Sequence, residues 1–223
     1  MLAVGKIGTT PLIAAVFRAQ FAMIDALIAA GVRVNAVMAD GYSALCYACI
    51  FGSNKEQQDL ARQAGITNES MSLRLVNTLI AAGANVNHVV SSRGSSPITM
   101  ACEHDHPSVV DALIKAGANV NHARPDGTTA LGMASQHGFV EIVRLLLAAG
   151  ANVNHARPDG TTALMVASLG GFVEIVRLLL AAGADPRISD TRGRSALIMA
   201  KHFNHTAVVA LLEARLAELA GSA

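Results

Sequence analysis

The sequence predicts an all-α repeat solenoid whose helix-turn-helix units are joined by β-hairpin loops, and three observations predict it. The fifteen residues 117–131, GANVNHARPDGTTAL, recur unchanged at 150–164, a spacing of 33. A Gly preceding an (S/T)-(A/P)-(L/I) triplet stands at Gly8, Gly41, Gly94, Gly127, Gly160 and Gly193, at spacings of 33, 53, 33, 33 and 33. A second Gly ends each apolar run at Gly31, Gly83, Gly117, Gly150 and Gly183, and four of these five lie 23 residues after the first. Self-similarity at this period marks a repeat architecture. Six units, starting near residues 7, 40, 93, 126, 159 and 192, account for nearly the whole chain. With no composition break between units, residues 1–223 read as one elongated domain.

Within one unit, 128–150, apolar Leu131, Ala134, Val140, Ile142, Val143, Leu145, Leu146 and Leu147 are split by Gly138, which predicts two short helices and a tight turn. Thr128 or Thr129 caps the first helix through its hydroxyl, and Gly138 ends it in a left-handed conformation. The second helix stops at Gly150 for the same reason. The following ANVNHARPDG, rich in Asn, Pro, Asp and Gly, predicts an extended segment and a turn. Helices this short are marginal alone, below the roughly 12–15 residues an isolated helix needs, so the units must stack to bury their apolar faces.

Composition excludes several classes of function. The chain has 17 Lys and Arg against 16 Asp and Glu, a formal charge of +1, and no cluster of five or six like charges. Neither nucleic acid nor an anionic membrane is an expected partner. Apolar residues make up 52% and charged ones 15%, but the most apolar early stretch, 11–34, is interrupted by Arg18, Gln20, Asp25 and Arg33 and is no membrane span. The first repeat begins where a signal peptide would have to lie, so an intracellular, cytoplasmic protein is expected. Three cysteines agree with a reducing compartment.

The motif D-G-x-T-x-L, followed by x-x-G-x-x-E-I-V-x-L-L-L-x-x-G-A-x-V-N, resembles the ankyrin repeat, and residues 7–219 fit that pattern. Gly127, Thr129, Leu131, Ala134, Gly138, Glu141, Ile142, Val143, Leu145, Leu146, Leu147, Gly150, Ala151, Val153 and Asn154 carry the resemblance. One departure is consistent. The histidine usual after T-P-L is replaced by Ile13, Cys46, Thr99, Gly132, Met165 and Ile198. In the family that imidazole ties neighbouring hairpins and helices together, so apolar packing is expected to replace an inter-repeat polar network here. The resemblance also places Asn35, Asn87, Asn121 and Asn154 at a hairpin position hydroxylated in some members of the family.

The second unit carries 19 extra residues, 53–71, between Gly52 and a second helix that resumes near Leu73, and one more extra residue sits in the turn before Gly94. Ser53 and Glu56 have capping-box spacing, good helix formers run to Ala64, and Gly65 stops the run, which predicts an added helix over 54–64. Thr67 or Asn68 would cap a lengthened second helix. The insertion reads as a tolerated excursion or as a contributor to partner choice.

Cys46 and Cys49 form a C-x-x-C, the spacing of redox dithiols and of half a zinc site. Cys49 falls at the repeat's small-residue position, shared with Cys102, Ser135 and Ser168, so packing is the expected role. His88, His122 and His155 recur in three successive hairpins. Stacked helices lie about 8–10 Å apart, whereas nitrogens on one zinc lie within about 4 Å of each other, so a recurring hairpin residue is expected and not a metal ladder. The groups at His104, Asp105 and His106 and at His202 and His205 read as turn residues. No Ser-His-Asp set, phosphate loop or H-E-x-x-H occurs, and neither catalytic residues, metal nor cofactor are expected.

The resemblance implies a partner protein meeting the concave face through hairpin tips and first-helix ends. The matching tips are Thr9, Tyr42, Ser95, Thr128, Thr161 and Arg194, and the helix ends are Phe17, Arg18, Ile50, Phe51, Glu103, His104, Gln136, His137, Leu169, His202 and Phe203. Phe17, Tyr42, Ile50 and Phe51 are expected to form an apolar cluster that supplies specificity, since aromatic residues are scarce at 4% and such anchors dominate interfaces. The expected function is a non-enzymatic protein-protein interaction scaffold. Its alternatives are a structural array acting by self-association, with a homodimer formed through the uncapped first repeat, and a redox or metal-binding protein using Cys46 and Cys49.

Overall fold

In the computed structural model of the chain, residues 10–221 are described, and the tip position Thr9 lies outside them. The described residues form thirteen helices in two compact units, Met1–Asn119 and Val120–Ala223. The first holds the pair α1 (Pro11–Phe17) and α2 (Phe21–Ala29), then α3 (Ala44–Cys49), α4 (Lys55–Gln63) and α5 (Asn68–Ala81), and the pair α6 (Pro97–Glu103) and α7 (Pro107–Lys115). The second holds α8 (Ala130–His137) with α9 (Val140–Ala148), α10 (Ala163–Leu169) with α11 (Val173–Ala181), and α12 (Ala196–His202) with α13 (Thr206–Gly221). The architecture is the all-α repeat solenoid that the period predicts.

Most helices have six to nine residues, so packing rather than propensity sustains them. First helices stack on first helices and second on second: α1, α3 and α6 with α5 against α7 in one unit, α8, α10 and α12 with α9, α11 and α13 in the other. Ile24, Leu45, Leu75, Leu79, Ile98 and Leu113 are fully buried in the first unit, and Leu131, Ile142, Leu146, Leu179 and Leu212 in the second. Each is worth roughly 1.5–3 kcal/mol on transfer from water. Thr10, Ser43, Thr129, Thr162 and Ser195 cap their first helices, each hydroxyl accepting from the N–H three residues on. At α6 the cap is reciprocal, with the Ser96 N–H donating to Thr99 Oγ1 at 2.9 Å. The hairpins narrow to single antiparallel bridges: Val37 with Ser43, Val90 with Ser95, Ala123 with Thr129, Ala156 with Thr162 and Ser189 with Ser195.

The expectation that apolar packing alone joins the repeats is corrected by a ladder of asparagines. Asn35 Nδ2 donates to the Gly83 carbonyl at 3.1 Å and its Oδ1 accepts from Asn85 N–H at 2.7 Å. Asn87 repeats this with Gly117 and Asn119, Asn121 with Gly150 and Asn152, and Asn154 with Gly183 and Asp185. Histidine reappears too, moved to the hairpin: His88 Nε2 donates to the Gly41 carbonyl at 2.7 Å and His155 Nε2 to that of Gly127 at 3.0 Å. An acceptor and a donor on one amide satisfy two backbone groups that the end of a helix leaves open. The polar network therefore survives the loss of the T-P-L-H histidine because other side chains carry it.

The insertion is ordered as α4 and the lengthened start of α5. Asn54, not Ser53, caps α4, its Oδ1 accepting from Gln57 N–H at 3.0 Å, while Thr67 caps α5. Gln57 is buried, accepting from Gly52 N–H at 3.0 Å and donating to the Phe17 carbonyl at 3.4 Å. Gly52 is required twice over, by its φ of +95° and because a Cβ there would lie 2.7 Å from the Asn68 side chain. From the first turn of α5, Glu69 Oε1 accepts from both Ser108 N–H (2.8 Å) and Ser108 Oγ (2.6 Å), capping α7 from the neighbouring repeat. No described helix is long and apolar enough to cross a membrane.

Candidate protein-interaction surface

Within each unit the repeats turn the residue after the tip glycine and one face of the first helix to the same side, so the sixteen predicted residues separate by what each repeat places over them. Arg18, Glu103, Gln136, His137, Leu169, Arg194, His202 and Phe203 are exposed. Phe17, Tyr42, Ile50, His104 and Thr161 are half-buried. Phe51, Ser95 and Thr128 are buried and do not belong to an exposed surface.

The burial of Phe51 has a local cause. Phe51 is 0% exposed because the insertion after it closes over the end of α3, where Gln57 bridges Gly52 and Phe17. Ser95 pairs with Val90 across a hairpin lengthened by one residue, its carbonyl accepting from Val90 N–H at 2.9 Å. Thr128 is 6% exposed; its N–H donates to Asp126 Oδ1 at 2.9 Å, a bond that the half-buried Thr161 repeats with Asp159.

The expected N-terminal aromatic cluster exists in altered form. Phe17 meets Tyr47 edge-on at 6.3 Å, and Tyr42 lies 5.4 Å from Tyr47. Tyr47, on α3 and 7% exposed, is not among the predicted residues. Burial, then the Asp40 charge, pushes its phenol up to about 12, so it stays neutral. The rings cover one another and leave little free apolar area.

In the second unit the same face opens. Thr161, Val166, Leu169, Arg194, Ile198, Met199, His202 and Phe203 line a groove of about 310 Å³ between α10 and α12. Val166 and Met199 form its floor at 8% exposure, while Leu169, Ile198 and Phe203 stand over it at 41%, 50% and 52%. Phe203 is held edge-on to His202 at 4.8 Å and stacked on His205 at 6.2 Å. His205 is fixed in turn by donating Nε2 to the Leu169 carbonyl at 3.0 Å. Five of the eight lining residues were predicted. Of the three missed, Val166 and Met199 share a repeat position with Tyr47, and Ile198 stands where the family histidine would be. Met165, its equivalent one repeat earlier, is 1% exposed, whereas Ile198 is 50% exposed.

Polar groups edge the groove. The Arg194 guanidinium is held by Asp190, Nε to Oδ2 at 2.7 Å, and Asp190 also accepts the N–H groups of Arg192 and Arg194. These hydrogen bonds hold the Asp190 carboxyl below the usual carboxylate range. The Asp190 side chain is 2% exposed and that of Arg194 is 46%, so the pair shows solvent its positive half.

The cysteines lie elsewhere. Cys46, Cys49 and Cys102 are buried, and burial raises the thiols of Cys46 and Cys49, the reverse of what a redox nucleophile needs. Among the described residues no three His, Cys, Asp or Glu side chains are grouped to hold a metal ion.

Comparison with known proteins agrees with this architecture. A family model for ankyrin repeats in three copies matches residues 64–157, and one for ankyrin repeats in many copies matches residues 146–200. Among curated proteins none matches the chain. Two family models that together run unbroken from residue 64 to residue 200, over helix pairs joined by the family's hairpins, place the chain in the ankyrin-repeat family.

Proposed function

We propose that the chain is a non-enzymatic scaffold that binds another protein through its hairpin tips and first helices, with the groove between α10 and α12 as the anchor. Ankyrin repeats are general protein-protein interaction modules, and one observation selects the groove. Of the seven large hydrophobic side chains exposed among the described residues, Leu169, Ile198 and Phe203 line this one depression. Clustered exposed apolar groups with a polar rim mark interaction sites, whereas scattered ones do not. A volume of about 310 Å³ is at the small end of the roughly 300–1,000 Å³ range of ligand pockets, so it suits one or two protein side chains better than a cofactor. The groove, rather than the Phe17, Tyr42, Ile50 and Phe51 cluster, would supply the anchor, because the insertion and Tyr47 cover that cluster.

The test compares protein capture by the wild type with capture by Phe203→Glu and Leu169→Glu, two changes at exposed positions. A partner retained by the wild type and lost by both variants, at unchanged melting temperature, is the expected result. Equal capture by all three would place the contact elsewhere.

Self-association has one observation in its favour. On α2, Met23 is 52% exposed beside exposed Ala22, Ala26 and Ala29, with exposed Asp25 among them, a face able to receive a second copy. Sedimentation of the wild type and of Met23→Lys decides it: a dimer dispersed by the lysine supports this reading, and a monomeric wild type rejects it.

A further inference from the structure

We infer that the groove between α10 and α12 recognises a segment of a partner protein in which a large apolar side chain lies within a few residues of a carboxylate. The inference rests on the groove being the binding site and adds the chemistry of what fills it. Val166 and Met199 beneath Leu169, Ile198 and Phe203 supply only apolar contact to whatever enters. A polar or charged side chain placed there would lose its water without gaining a partner. An aromatic or branched apolar side chain is therefore the group that fits.

The rim decides what stands beside it. Arg192 and Arg194 occupy the hairpin tip at one end of the groove, with His202 at its far end, while Arg157 on the preceding hairpin is half-buried and donates to Gln136 of α8 at 3.3 Å. Two carboxylates, Asp190 and Asp159, lie at these two hairpins. Asp190 is buried, and its carboxylate is filled by the Arg194 side chain and the N–H groups of residues 192 and 194. Asp159 is exposed, and one of its oxygens accepts from Thr161 N–H at 2.9 Å. Lys201, next along α12, is directed to Glu213 of α13 at 2.8 Å. The exposed charge at the tips is therefore positive, on a chain whose overall charge is only +1.

Arg194 is also preorganised. Asp190 fixes its Nε and one terminal nitrogen, while its remaining N–H groups point away from that carboxylate. A guanidinium already held in place gives up little further freedom when it binds an incoming carboxylate. The complement of this surface is an apolar anchor with an acidic neighbour.

The test is selection of a random dodecapeptide display library on the full chain, with Phe203→Glu for counter-selection. The enriched peptides are expected to pair an aromatic or branched apolar residue with Asp or Glu within about four positions. In a synthetic peptide of that type, replacing the acid by its amide should weaken binding to the wild type about tenfold. On Arg194→Gln, which keeps the side-chain length without the charge, the same replacement should have little effect. Enriched peptides that lose binding on Phe203→Glu yet lack an acid, or ignore its amidation, overturn the inference and leave the groove as a site. Recovery of no peptide that depends on Phe203 overturns the groove reading itself.

Discussion

Phe51 and Phe203 occupy the same place in their repeats, ten residues after the tip glycines Gly41 and Gly193, yet one is 0% exposed and the other 52%. The difference lies in the chain immediately after each ring. Beyond Phe203 the backbone passes through a short turn into α13, whereas beyond Phe51 it makes the excursion of α4 and returns through Asn68, which packs against Gly52. Repeat position sets the direction of a side chain, and the neighbouring chain decides whether that side chain becomes core or surface. An insertion thus converts a surface position of the first unit into core and leaves its counterpart in the second unit free to meet a partner.

The largest expected effect breaks this pair apart. Phe51→Ala should cost about 3–5 kcal/mol, the range for a fully buried phenylalanine, and Phe51→Glu should unfold the first unit. Phe203→Ala should stay within about 0.5 kcal/mol, as exposed substitutions do. Urea unfolding of the full chain followed by circular dichroism measures both. Similar losses for the two alanine variants would mean that the insertion does not seal Phe51.

A second pair sharpens the comparison. His106 and His205 both stand twelve residues after their tip glycines, but His106 is buried with an unpartnered Nδ1 and His205 is half-buried. Burial, and then the neighbouring His104, lowers the His106 pKa below 6.5, against weaker opposing effects of Glu69, the Cys49 backbone and Asp105. The folded state therefore favours the neutral ring. Its contribution is complete above about pH 6.5 and is lost as pH falls from that value towards the depressed folded one, because the unfolded chain binds the proton first. Melting temperature should drop between about pH 7.5 and about pH 5.5. His106→Phe, which installs the residue found at this position as Phe139 and Phe172, should flatten that slope. Equal slopes in the wild type and His106→Phe would remove the histidine from the account.

Sequence made the repeats legible because each is written in glycines, caps and apolar spacing that act locally. The caps at Thr129 and Thr67 and the stop at Gly138, with φ of +82°, follow from adjacent residues alone. The candidate surface was legible only in part. Leu169, Arg194, His202 and Phe203 follow from repeat position, but the burial of Phe51 depends on where a 19-residue excursion docks, which no local pattern encodes. The asparagine ladder was visible as a recurring letter. Its role was not, because a donor and an acceptor in the next repeat have to be in place before the amide has anything to bind.

The smallest expected effect concerns the turn between the helices, where the repeats again differ at one position. Eleven residues after the tip glycine, Gly52, Gly138 and Gly171 have φ of +95°, +82° and +69°, and the other three repeats hold the same left-handed turn with Ala19 (+50°), Asp105 (+51°) and Asn204 (+58°). Aspartate and asparagine tolerate this region through local hydrogen bonding, whereas alanine has no such compensation and carries a penalty of about 1–2 kcal/mol. Ala19→Gly removes that penalty but gives the unfolded chain more freedom, which returns roughly half of the gain. A net stabilisation of about 0.5–1 kcal/mol is expected for Ala19→Gly, against a few tenths for Asn204→Gly. The two differ in side chain more than in backbone angle, so their midpoints in urea separate the Cβ penalty from asparagine's tolerance of the same turn. If Asn204→Gly gains as much as Ala19→Gly, the asparagine side chain relieves nothing, and the turn strains both units alike.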